Sequence, residues 1–64
     1  MNLKIERIKR KWNQSQLAER SNVGLNTIVK IEKGNIDNVS VSILKRLSKA
    51  LDVSVADLFF SEEE

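Results

Sequence analysis

Sixty-four residues with no cysteine and no histidine, carrying 11 Lys+Arg against 9 Asp+Glu, exclude most enzyme classes. Such a chain has no thiolate nucleophile, no disulfide framework, no ordinary zinc site and no triad base, and its core is too thin to roof a substrate cavity. The formal net charge of +2 conceals an asymmetry: residues 1–49 hold all eleven bases and four acids, whereas residues 50–64 hold five acids and no base. A basic body this small points to a polyanionic partner.

The apolar spacing predicts five short helices, at about 2–11, 14–21, 25–33, 40–51 and 55–60, in an all-α fold. In the first, Ile5, Ile8 and Trp12 recur at helical intervals and form the expected inner face, with Trp12 closing the core beneath helices one and two. Asn13 followed by Gln16 is a capping-box pattern that opens the second helix, whose apolar residues are Leu17 and Ala18. Only Ser21-Asn22-Val23-Gly24 separates it from the third. A turn this tight needs a small residue at the crossing, which Ala18 supplies, and a left-handed residue, which Asn22 tolerates.

In the third helix Ile28 and Ile31 share a core-facing side. Asn26, Val29, Lys30 and Lys33 are thereby left on the opposite face, with Leu25 at the exposed start. Gly34 suits a left-handed C-terminal cap, Gly34 to Val39 is the one loop of any length, and Ser40 opens the fourth helix. That helix carries Val41, Leu44, Leu47, Ala50 and Leu51. Ser54 followed by Asp57 caps the last, which holds Val55, Leu58 and Phe59. Residues 61–64, ending in Glu62-Glu63-Glu64, form an acidic tail after a single domain of residues 1–60.

The N-terminus alternates apolar with charged residues and so lacks the apolar run of a signal peptide, and nowhere are 18 consecutive residues apolar. A cytoplasmic protein is expected, with no membrane contact, cofactor, metal or small-molecule ligand.

Asn13-Gln14-Ser15-Gln16-Leu17-Ala18-Glu19, followed by Val23-Gly24-Leu25-Asn26-Thr27-Ile28-Val29-Lys30-Ile31-Glu32-Lys33-Gly34, resembles the lambda-repressor/Cro-like (XRE) helix-turn-helix family. So does the downstream helix ending Leu51-Asp52-Val53-Ser54-Val55, with Asp57-Leu58-Phe59 after it. The resemblance covers residues 3 to 60. It implies a compact five-helix DNA-binding domain, with the helix-turn-helix at about 14–33 and helix 25–33 in the major groove. Gly24 stands where the family usually has a Ser or Thr cap, Leu25 where a polar base-reading residue is common, and Val39 where a proline is frequent. The first two departures weaken any transfer of base preference from relatives.

On this reading Asn26 and Lys30 contact base edges, the amide suiting adenine and the ammonium suiting guanine O6 and N7. Leu25 and Val29 rest on thymine methyl groups. Gln14, at the start of helix two, is the expected phosphate clamp, because free N–H groups and the helix dipole already favour an anion there. The resemblance places Thr27, Lys33, Asn35 and Ser40 along the DNA backbone, and Asp37 is expected to point away from it. Arg7 and Glu32 correspond to a structural ion pair joining helix one to the end of helix three. Val55, Phe59 and Phe60 are the expected homodimer interface, where the adjacent phenylalanines cannot both be buried on one helix face.

The function implied is a sequence-specific double-stranded DNA-binding transcriptional regulator, a dimeric repressor on a palindromic operator. The alternative is an antitoxin or other protein-interaction module with secondary DNA binding. An enzyme is not expected, since five short helices offer no water-excluding pocket in which to raise a carboxylate pKa.

Overall fold

A computed structural model describes residues 1–60, and the acidic tail expected at 61–64 lies outside the described residues. Its elements in chain order are α1 (Leu3–Lys9), α2 (Gln14–Ser21), α3 (Leu25–Glu32), α4 (Val41–Leu51) and a closing turn of wide, π-type helix, α5 (Ala56–Phe60). Among the described residues there is no strand. No helix of the described chain is long and apolar enough to cross a membrane.

The starts of α2, α4 and α5 follow from a side chain able to satisfy a free N–H. Asn13 accepts from Gln16 N while the Gln16 amide oxygen accepts from Asn13 N, both at 2.7 Å, so the capping box is complete. Ser40 Oγ accepts from Ile43 N at 3.2 Å, and Ser54 Oγ from Asp57 N at 3.0 Å. Gly24 precedes α3 with no side chain to perform this task.

The four α-helix ends share one device. Lys11, Asn22, Gly34 and Asp52 all take positive φ, between 56° and 95°. The next residue's N–H returns to a carbonyl five positions earlier: Trp12 to Arg7, Val23 to Ala18, Asn35 to Lys30 and Val53 to Ser48. This is the Schellman closure, which satisfies orphan carbonyls and is commonly sealed by an apolar residue just past the left-handed one. Trp12, Val23 and Val53 are those residues here, and all three pack into or against the core.

The core comprises Leu3, Leu17, Val23, Ile28, Ile31, Leu44, Leu47, Leu51, Leu58 and Phe59, with α2 seated against both α3 and α4. Trp12 closes its rim, with the Arg20 guanidinium 4.6 Å from the centre of its ring. The α5 turn is tied to the start of α1 by Asn2, whose backbone N–H donates to Leu58 O at 2.8 Å and whose amide donates to Asp57 O at 3.0 Å.

The inner face of α1 is not the one its isoleucines suggest. Leu3 and Arg7 are buried, while Ile5 and Ile8 are 56% and 54% exposed. The cause is the Arg7 side chain, whose partners are Glu32 on α3 and the Trp12 carbonyl just before α2. Turning Arg7 inward carries Leu3 with it, one turn away, and sends Ile5 and Ile8 to the opposite side. Val41 is likewise exposed at the first position of α4, where Leu44, Leu47 and Leu51 form the inner stripe.

Candidate nucleic-acid interface

The turn between α2 and α3 fixes how α3 is presented. Asn22 adopts φ 57° and ψ 39°, the left-handed geometry expected of it, and the Arg46 guanidinium donates to its carbonyl at 3.2 Å from α4. Ser21, buried, donates its hydroxyl to Leu17 O at 2.6 Å, and among the described residues no buried side-chain polar atom lacks a partner. With Ile28 and Ile31 fully buried, the register of α3 is fixed, and its outer face follows.

That outer face carries Leu25, Asn26 and Lys30 in the open, with Val29 and Thr27 half-buried beside them. Lys33 and Asn35 are exposed just past its end. Asn26, Lys30 and Lys33 succeed one another at intervals of four and three, so they form one stripe along α3. The loop to α4 folds against this stripe. Thr27, Lys30 and Asn35 line one open depression together with Asp37, Asn38, Val39 and Ile43. Asp37 thus lines the same depression as Lys30. Asn38 is a polar neighbour of the site that its sequence position did not single out. The only cue was its amide, three residues after Asn35 in a loop otherwise hard to orient.

Ser40 is exposed and spends its Oγ lone pair on the cap of α4. Gln14, half-buried at the first position of α2, donates one amide N–H to Glu32 Oε1 at 3.1 Å. The Gln14 side chain is thus part of an internal network.

The network is built on the most buried ion pair among the described residues. Arg7 Nε donates to Glu32 Oε2 at 2.7 Å and Arg7 Nη2 to Glu32 Oε1 at 3.0 Å, a two-pronged pairing of a planar fork with a carboxylate. Arg7 Nη1 donates to Trp12 O at 2.8 Å. The two side chains are only 10% and 5% exposed. Burial works to raise the Glu32 pKa, but hydrogen bonds from Arg7 and Gln14, with the positive charge of Arg7 and Lys4, outweigh it and hold the carboxyl below its usual range. The hydrogen bond to Glu32 raises the Arg7 pKa against the opposing effect of burial. One carboxylate therefore joins α1, the start of α2 and the end of α3. On the solvent side of α1, Glu6 is held low chiefly by its hydrogen bond from Arg10, at 2.9 Å.

Of the residues expected at a dimer interface, Phe60 is 60% exposed, Val55 is half-buried against the core, and Phe59 is 6% exposed. Phe59 is thereby removed from that surface. On this closing turn the adjacent Leu58 and Phe59 are both buried and Phe60 is exposed.

A family model described as Helix-turn-helix matches residues 3–58. The chain is also similar to the HTH-type transcriptional regulator SlrR of Bacillus subtilis (strain 168), at 35% identity over 60 residues, which make up 94% of this chain and 40% of that protein. The chain thus spans about two fifths of the length of this curated relative. No solved structure matches it.

Proposed function

The chain belongs to the helix-turn-helix family, in its lambda-repressor/Cro-like (XRE) branch, and from that premise we propose that it is a sequence-specific double-stranded DNA-binding transcriptional regulator. The observation that carries this reading is the outer stripe of α3. An amide, an ammonium and two apolar side chains stand there on a helix whose register is fixed by two fully buried isoleucines. A helix presented in this way fits the major groove, where each base pair offers a distinct set of donors, acceptors and methyl groups.

In this account Asn26 and Lys30 read base edges, Leu25 and Val29 contact thymine methyl groups, and Thr27, Lys33, Asn35, Ser40 and the N-terminus of α2 at Gln14 hold the phosphates. Residues 1–60 are the DNA-binding domain. One such domain touches too few base pairs to select a genomic site, so the protein works as a homodimer on a palindromic operator, with half-sites about one helical turn, roughly 34 Å, apart. The exposed Phe60 and the edge of Val55 belong to the contact between copies. Repression follows from occupying a promoter.

The test is selection from a randomised duplex library followed by sequencing, at two salt concentrations. A palindromic motif recovered at both supports the proposal. Salt-sensitive binding without any motif would reduce the interaction to phosphate electrostatics and remove sequence-specific regulation from the account.

A further inference from the structure

Among the described residues, Asp37 is the only acid lining the depression beside α3, and the backbone fixes its place there. Ile36 and Val39 pack against the core, and Val39 N donates to Ile36 O at 3.2 Å. Asp37 and Asn38 therefore stand at the corner of a tight turn that is pinned at both ends. Asn35 N, donating to Lys30 O at 3.0 Å, ties the start of the loop to α3. Asp37 is exposed, and among the described residues no ion pair includes it or Lys30. One depression on the face assigned to DNA thus holds an ammonium and a carboxylate, each without a neutralising partner. Lys30 finds a partner in any DNA sequence, since an ammonium takes a phosphate or a base acceptor. Asp37 does not. A carboxylate only accepts hydrogen bonds, and DNA meets it mostly with phosphate oxygens and base acceptors. The exceptions in the major groove are two amino groups, cytosine N4 and adenine N6. Adenine N6 stands beside the N7 acceptor of its own ring, which faces a carboxylate unfavourably, whereas cytosine N4 has no acceptor of its own base beside it in that groove.

We propose that Asp37 is a specificity-determining residue, whose carboxylate accepts from the N4 amino group of a cytosine next to the base pair that Lys30 contacts. The inference rests on the DNA-reading function above and adds to it a base contact from outside α3. Exclusion supplies as much of the selectivity as attraction does. Where the sequence offers no amino group, the carboxylate is left facing acceptors and the mismatch is rejected by repulsion. The depression then has two readers of opposite charge, and a DNA register satisfies both only when it offers acceptors to Lys30 and a donor to Asp37 together.

The experiment is selection from a randomised duplex library with the full chain as wild type, Asp37→Asn, Asp52→Asn and Lys30→Ala, followed by affinities of the first three for the wild-type operator and its single-base variants. Asparagine keeps the shape of Asp37 and suits an exposed turn, so the melting temperature of Asp37→Asn stays near wild type. Asp52→Asn makes the same charge change at the far end of α4, with a residue that tolerates the left-handed backbone there. Wild type is expected to select a cytosine at one position per half-site, beside the position that responds to Lys30→Ala, and to prefer it about 5–10-fold, the lower end of what a mismatch costs. Asp37→Asn is expected to lose the preference at that position alone, and to bind the mismatched duplexes more tightly than wild type does. A merely structural role would produce no such gain. Asp52→Asn is expected to return the wild-type motif. A wild-type motif without that cytosine, an unchanged motif in Asp37→Asn, or a uniform gain on every duplex shared by Asp37→Asn and Asp52→Asn would each overturn the proposal. A wild type that selects no motif would fault the DNA-reading function itself, whereas a motif that responds to Lys30→Ala and not to Asp37→Asn faults this inference alone.

Discussion

Arg7 and Glu32 join α1 to the end of α3 through a two-pronged, nearly buried ion pair. The pair is buried, so its net contribution to stability is small, while the loss of one partner strands a charge. Arg7→Met and Glu32→Leu are each expected to lower unfolding free energy by about 3–5 kcal/mol, and the double substitution to cost much less than their sum. Chemical denaturation of the four proteins measures this directly. The pH dependence has a definite sign. The Glu32 pKa is depressed in the folded state, so its stabilisation is complete above the unfolded value of about 4.3 and is lost as pH falls through the lower folded value. The stability gap between wild type and Glu32→Gln should therefore be constant above about pH 5 and narrow below it. The pair was legible in the sequence through the family resemblance. The buried face of α1 was not, because its isoleucine spacing imitates an inner stripe while a charged residue holds the inward position.

At the scale of elements, helix starts were easier to read than helix ends. Asn13, Ser40 and Ser54 announce themselves because a side-chain acceptor at the cap is a chemical requirement visible in the residue type. Asn22 and Gly34 were legible for the same reason, as residues that tolerate left-handed backbone. Lys11 takes that conformation without the usual residue type and Asp52 with one that visits it only occasionally, and the residues that follow, Trp12 and Val53, pack back against the core. A left-handed lysine is strained by roughly 1–2 kcal/mol. Lys11→Gly should therefore raise the stability of the fold by up to about 1 kcal/mol, once the greater freedom of glycine in the unfolded chain is deducted. Thermal unfolding of this single variant decides the point. Gly24 offers the complementary case. Its backbone is ordinary, at φ −59° and ψ 143°, and an added Cβ would meet only Thr27 Oγ1 at 3.8 Å. Gly24→Ser should add a cap to α3 and stabilise it by about 0.5–1 kcal/mol, measured in the same way.

For the whole molecule, the proposed function assigns affinity to the basic charge and sequence choice to the outer face of α3. The basic residues of positions 1–49 do not act as one patch: Arg7 and Arg10 pair with acids, Arg20 covers Trp12, and Arg46 caps the turn after α2. Lys30 and Lys33 remain exposed on the α3 side and Lys45 and Lys49 on the outer face of α4. The five-helix architecture was legible from the sequence because apolar spacing and caps agree. The way the loop after Gly34 folds back was not, since nothing in Asn35-Ile36-Asp37-Asn38 fixes its direction before α3 and α4 are packed.

The proposed function has α3 read base sequence while the residues flanking it hold the DNA backbone. The most direct measurement is the affinity of wild type, Asn26→Ala, Lys30→Ala and Lys33→Ala for a selected operator and for each of its single-base variants, as a function of salt. Asn26→Ala and Lys30→Ala are each expected to cost about 1–3 kcal/mol and to erase discrimination at one base position per half-site. Lys33→Ala should weaken all sequences alike and reduce the salt slope by about one per half-site. Equal, position-independent losses for all three substitutions would contradict the assignment of α3 as the reading helix.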